Sequence, residues 1–367
     1  MRTFLFFALS ILPSFALAQD FTPASDSYVR AKVLSVDLGN IEDNVQYVHI
    51  QILDGTDKEK TIIYEHTTMN GREDMQLHEG ETIIMQRLQK ANGEVVFHMN
   101  EKYRLRSLWI LTILFFVLGI ILGGKTGFTS IIGLAASIGV LLFFVIPRII
   151  AGDNPLVISV IGAVCIAFSA LYLAHGFNRR TSIALLSTVI TLVLSAILAV
   201  FFVWFGKLYG LGSEEAMFLQ FGSLQHLNLR GLLLGGIIIG ALGVLDDITT
   251  AQTAAIDELS KANATLGFKE LYASGTSIGR EHIASLINTL ALAYAGASLP
   301  LLLLFSLNTE MPWWVTINSA FIAEEIVRTL VGSCTLLLAV PISTWIAAKS
   351  FAHGNHTNVR GGHSHVH

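Results

Sequence analysis

LWILTILFFVLGIIL, residues 108–122, holds no charged side chain and no proline. Such a run approaches the roughly 20 helical residues that cross the hydrocarbon core of a bilayer. The pattern extends outward from it. Between Leu108 and Phe205 only Lys125, Arg148, Asp153, Arg179 and Arg180 carry charge. Over the whole chain 53% of residues are hydrophobic and 14% charged, against about 25% charged in soluble domains. The sequence therefore reads as an α-helical polytopic membrane protein whose first partner is the lipid bilayer. A net charge of −4 is too small to point to a nucleic-acid partner. Cys165 and Cys334 both lie in apolar runs and read as packing residues, not as a disulfide or metal knuckle.

Seven apolar segments are expected to span, at about 108–123, 128–146, 156–174, 182–205, 229–247, 283–305 and 326–347. Residues 1–18 match a secretory signal: Arg2, an apolar stretch from Phe4 to Leu12, and Ala16-Leu17-Ala18 as a small-x-small cleavage site. This places residues 20–105 outside the cytoplasm. The basic residues of the later loops agree, because Lys125, Arg179, Arg180, Lys261, Lys269 and Arg280 then fall inside and the C-terminus is cytoplasmic. Lys102, Arg104 and Arg106 lie on the outer side and run against the rule.

Residues 26–100 carry strand signals instead. Short β-branched runs at Val29–Val36, Gln46–Leu53, Lys60–Tyr64, Thr82–Leu88 and Val95–His98 alternate with the turns Asp54-Gly55, Asn70-Gly71 and Asn92-Gly93. Five strands in so short a stretch suit a small all-β barrel, OB-like or SH3-like. No ligand motif stands out there, so a surface for a protein partner or a second copy of the chain is the default expectation. Residues 248–281 read as an amphipathic cytoplasmic segment and 351–367 as a disordered tail.

Polar residues inside the apolar body are the candidate sites. Gly236, Gly240, Gly243 and Asp247 share one helical face, a small-xxx-small pattern that admits a neighbouring helix. Asp247 is expected to point at protein and Asp246 less so; Asp247 could also cap a helix starting near Ile248. His282 opens a stripe with Ser285, Thr289, Ala293 and Gly296 and is expected to meet Asp247. The 35 residues from Trp313 to Ala347 are longer than one crossing needs, so the segment either begins on the outer surface or breaks. Within it Glu324 and Arg328 stand at i,i+4 and Glu325 and Arg328 at i,i+3. Two carboxylates against one guanidinium leave a negative charge to be matched by a cation or a proton. The tail histidines His353, His356, His363, His365 and His367 are compositional metal-ligand candidates. No phosphate-binding loop, nucleophile elbow, zinc-protease motif or cofactor motif is present, which argues against an enzyme.

GVLDDITTAQTAAIDEL (243–259), GREHIASLINTLALAYAGASLPLLLLF (279–305), AEEIVRTLVGSCTLLLAVP (323–341) and LYLAHGFNRRTSIALL (171–186) together resemble the YibE/F-like family of prokaryotic membrane proteins, over roughly residues 28–350. The resemblance implies a cytoplasmic-membrane protein with an extracytoplasmic N-terminal domain and a multi-span body. It carries across no reaction, substrate or cofactor. On the residues, a proton-coupled transporter of an inorganic ion or small solute leads, followed by a membrane scaffold or accessory subunit.

Overall fold

The computed structural model describes residues 27–38, 45–67, 76–90, 93–222, 226–307 and 311–352. The signal segment 1–18, the Asn70-Gly71 turn and all five tail histidines lie outside the described residues. The chain divides into two compact units, one within residues 13–118 and one running from Gly119 onward.

The first unit is built on five antiparallel strands: β1 Ser27–Leu38, β2 Val45–Ile52, β3 Thr61–Thr67, β4 Thr82–Gln89 and β5 Val95–Lys102. Their order is β3-β2-β1-β4-β5, which curls into a half-barrel. Alternate residues fill its interior, with Val29, Ala31, Val33, Val48, Ile50, Ile52, Ile83, Met85 and Phe97 buried. The edge strands are tied where Met99 N–H donates to Tyr64 Oη at 3.3 Å. Buried Gln46 uses both ends of its amide on one residue, accepting from Leu77 N at 2.9 Å and donating to Leu77 O at 3.3 Å. The five runs expected from the sequence correspond one to one with these strands.

Asp57 and Arg87 form the most shielded ion pair among the described residues of this unit, 2.8 Å apart. The Arg87 hydrogen bond holds the Asp57 carboxyl below the usual carboxylate range, against the opposing effect of burial. A carboxyl depressed in the folded state stabilises it at pH values above about 4 and ceases to do so as pH falls through its folded value. The protection factors of the β4 amides, which discount the intrinsic pH dependence of exchange, should therefore fall on acidification in the native chain, and Asp57→Asn should flatten that fall.

The second unit is helical. Its helices are α1 Leu105–Val140, which begins in the first unit, then α2 Ile146–Ile150, α3 Pro155–His175, α4 Arg179–Phe205, α5 Glu214–Phe221 and α6 Leu229–Ala262. They are followed by α7 Phe268–Ala297, α8 Leu299–Leu307, α9 Trp313–Ile317 and α10 Ala320–Phe351. Polar side chains start several of them: Asn154 accepts from Leu156 N, Asn178 from Thr181 N, Ser213 from Ala216 N and Asn228 from Gly231 N.

Five helical stretches are long and apolar enough to cross a membrane: Leu105–Ile150, Pro155–His175, Arg179–Phe205, Leu229–Ala262 and Ala320–Phe351. The expectation of seven differs in two places. The first two expected segments form one run of 46 residues, yet Gly124 breaks it with φ 57° and ψ −134°, a backbone that only glycine adopts freely. The chain folds back there, since a Cβ on Gly127 would sit 2.0 Å from Gly119 O. Residues eight apart in a straight helix would be about 12 Å apart along the axis. The sixth expected segment is split between α7 and α8, where Pro300 enters α8.

Two further readings change. Residues after Asp247 continue α6 to Ala262 without a break, so Asp247 caps no helix. Thr249, Gln252, Thr253 and Ile256 are buried, so 248–262 is part of the bundle and not a surface helix. The long seventh region breaks between α9 and α10, at Asn318 and Ser319. α6 is the hub, packed against α3, α4, α7 and α10. Its Ile238, Leu242, Leu245 and Ile248 meet Ala163, Ile166, Leu192, Leu336, Ala339 and Val340.

Candidate functional site

Polar groups gather at two levels along α6. At one, the loop between α4 and α5 wraps a carboxylate. Glu324 of α10 is 4% exposed. Its Oε1 accepts from Gly210 N at 2.8 Å and Leu211 N at 3.1 Å, and its Oε2 from Gly212 N at 2.9 Å. Gly210 has φ +82°, and a Cβ on Gly212 would lie 2.6 Å from both Ala320 O and Glu324 Oε2. Only glycines allow three successive amides to close on one carboxylate here. Arg230 anchors the same loop from α6, its Nε donating to Leu208 O at 3.0 Å while its guanidinium lies over Tyr209.

This arrangement answers the surplus charge. The i,i+3 pair forms, Arg328 to Glu325 at 2.9 Å. The expected i,i+4 pair with Glu324 does not, because the loop amides already satisfy that carboxylate. Arg328 Nε has no hydrogen-bond partner among the described residues. Arg328 and Glu324 line a cavity of about 450 Å³ with Ser159, Ser213, Gly235 and Gly236, walled by Leu141, Val145 and Ile149.

At the other level Asp246 of α6 faces α4. The assignment expected for the two aspartates is reversed: Asp247 is exposed, whereas Asp246 is half-buried with Oδ1 shut from solvent. The reason is angular. α6 is in contact on the Asp246 side, and the face bearing Gly236, Gly240 and Gly243 is open, with nothing within 4 Å of a Cβ on any of the three among the described residues. The glycine stripe admits no helix here; it leaves an open face that starts at the cavity and ends at Asp247.

α4 meets the Asp246 side with small polar residues. Thr181, Thr188 and Ser195 recur every seven residues, Ala184 and Thr191 fall between them, and all five are buried. Thr188 Oγ1 lies 2.7 Å from Thr249 Oγ1, on the side of α4 that faces Asp246. Gln252, wholly buried, donates to Gly275 O at 2.7 Å and Thr344 Oγ1 at 2.8 Å, so one amide braces α6, α7 and α10.

His282 is exposed, and among the described residues no hydrogen bond or ion pair joins it to Asp247. α7 docks through Gly275 and Gly279 against Ile256 and Val340, which leaves His282 outside. His175 at the end of α3 is the imidazole within electrostatic range of Asp247, with Arg180 beside it. Among the described residues no group of three His, Cys, Asp or Glu side chains could hold a metal ion.

Of the residues singled out from the sequence, Glu324, Glu325 and Arg328 lie together and Asp246 lies against α4, whereas the amides of residues 210–212 and the threonines around Asp246 were not anticipated. The threonine signal was legible: Asp246, Thr249, Thr250 and Thr253 follow at helical spacing.

These features define a multi-pass membrane protein with a polar seam and an open polar-ended face on its central helix. The sequence model of the YibE/F-like proteins matches residues 111–353. The chain belongs to the YibE/F-like family, and the match covers the helical body but not the β half-barrel. No curated protein and no solved structure matches the chain.

Glu324→Ala should unfasten the 210–212 loop. Each amide left unpaired costs about 1–3 kcal/mol, so the unfolding temperature in detergent should drop clearly. Glu324→Gln should lie between, since its Oε1 can keep two amides while its NH2 meets the third donor.

Proposed function

We propose that this protein is a transporter of an inorganic ion or small solute in the cytoplasmic membrane, with α6 as the wall of the passage. The observation that carries the reading is the open face of α6. It leads from the cavity at Arg328 past three bare glycines to Asp247, about 16 Å along the axis. Bare backbone beside ionisable groups is what a solute path through a bundle requires. Asp246 is the coupling carboxylate, because it neighbours Asp247 at the end of that face and turns its Oδ1 into the seam. The cavity at Arg328 is the entrance at the opposite end.

In this reading the chain crosses seven times: two arms either side of Gly124, then α3, α4, α6, the α7–α8 pair and α10. The leader is removed, the half-barrel is extracytoplasmic, and Lys125, Arg179, Arg180, Lys261 and Lys269 lie on the cytoplasmic side. Asp246 then sits nearer the cytoplasm and Glu324 nearer the outside. The protein acts without an enzyme's chemistry and without a cofactor, and the half-barrel offers a surface for a protein partner or a second copy.

One observation favours a scaffold or accessory subunit instead: Glu324 and Glu325 are both satisfied within the chain, so neither demands a substrate. The two readings separate by mutation. For transport, Gly240→Leu, which fills the open face, and Asp246→Asn should each abolish solute flux in proteoliposomes at unchanged protein yield. Full rescue of a deletion strain by both variants, with loss on removing the half-barrel, would establish the scaffold.

A further inference from the structure

Donors and acceptors do not balance around Asp246. The Thr249 hydroxyl can give its proton to Leu245 O at 2.9 Å or to Thr188 Oγ1 at 2.7 Å. The Thr188 hydroxyl bonds to Thr249, and neither hydroxyl bonds to Asp246 Oδ1. Asp246 Oδ1 has no partner among the described residues, and neither has Thr250 Oγ1 one turn on; both atoms are shut from solvent. Asp246 and Thr250 stand at i,i+4, where Cβ atoms are about 5–6 Å apart, a gap that one small ion can bridge. Deeper in the seam the Oγ1 atoms of Thr181 and Thr253 also lack partners, and both residues are almost wholly buried. Acceptors left dry in a low-dielectric interior are costly. Among the described residues no basic side chain pairs with them, and Arg180 pairs instead with Glu258 at 4.0 Å.

We propose that Asp246 Oδ1, Thr250 Oγ1 and Thr188 Oγ1 form a binding site for one sodium ion. The site is made only of hard oxygen donors, which select hard cations over transition metals. It holds a single carboxylate, so a single positive charge neutralises it; Asp247 faces the other way. The unpartnered hydroxyls of Thr253 and Thr181 give the ion further oxygens along the seam between α4 and α6. This deepens the transport reading by naming the coupling ion, and it rests on that reading for its purpose. Its test reads binding without flux.

The full-length protein in detergent at about pH 8, where an ordinary carboxyl is ionised, is titrated with sodium chloride. Choline chloride holds the ionic strength, and unfolding temperature and calorimetric heat are followed. Sodium should raise the unfolding temperature saturably while choline does not. Thr250→Val should weaken the apparent affinity about tenfold or more, Asp246→Asn should abolish the effect, and His282→Ala should leave it unchanged. Identical curves in sodium and choline would overturn the site. So would a sodium response untouched by Thr250→Val and Asp246→Asn, or a potassium response as strong as that to sodium. Sodium binding without any solute flux would count against transport alone. Asp246-dependent flux without sodium binding would sink the sodium site and leave a proton as the coupling species.

Discussion

Inside a hydrocarbon layer no water is at hand for a carboxylate or a free amide, so each polar group in the bundle must find its partner in the protein. That constraint organises the second unit. Glu324 could be buried at the head of α10 because three amides of the 210–212 loop turn toward it. Those amides could turn because Gly210 and Gly212 have no side chains to block them. The loop, in turn, is what joins α4 to the helices that follow, so a single acidic residue fixes how the chain returns to the bundle.

The same constraint explains the seam between α4 and α6. Some of its hydroxyls are satisfied by the carbonyl one turn back, as with Ser187 on Ile183 O, Thr191 on Ser187 O and Thr249 on Leu245 O. Small residues that satisfy themselves let two helices pack closely without leaving open donors. Gln252 does the same work with a longer arm, bonding α7 and α10 at once. The exceptions stand out against this economy. Asp246, Thr250, Gln252, Thr253, Thr181 and Ser195 keep unpartnered oxygens, and four of these six residues lie on α6 between Asp246 and Thr253.

The two ends of the open face on α6 therefore differ in kind. At the Glu324 end charge is balanced within the chain, and the cavity is bounded by a loop held in place from two helices. At the Asp246 end the balance is open. Between them runs the bare glycine face, whose lack of side chains keeps the helix surface clear. An asymmetric wall of this form suits a path with a fixed mouth and an ion-dependent inner stage.

Much of this could be read from the residues. Composition and run length determine a membrane-embedded helical body, because the cost of exposing apolar surface depends on the side chains alone. Alternation and turn residues determine five strands, because the pleat has a period of two. Family membership was likewise legible in four long motifs. What tertiary structure decided is which face of each helix meets a neighbour. Spacing placed Asp247 with the glycines and so toward protein, but the neighbours of α6 lie on the Asp246 side. Spacing paired Glu324 with Arg328, but a loop 112 to 114 residues away in sequence reached Glu324 first. Helical periodicity fixes relative angles within one helix; only packing between helices fixes the origin of those angles.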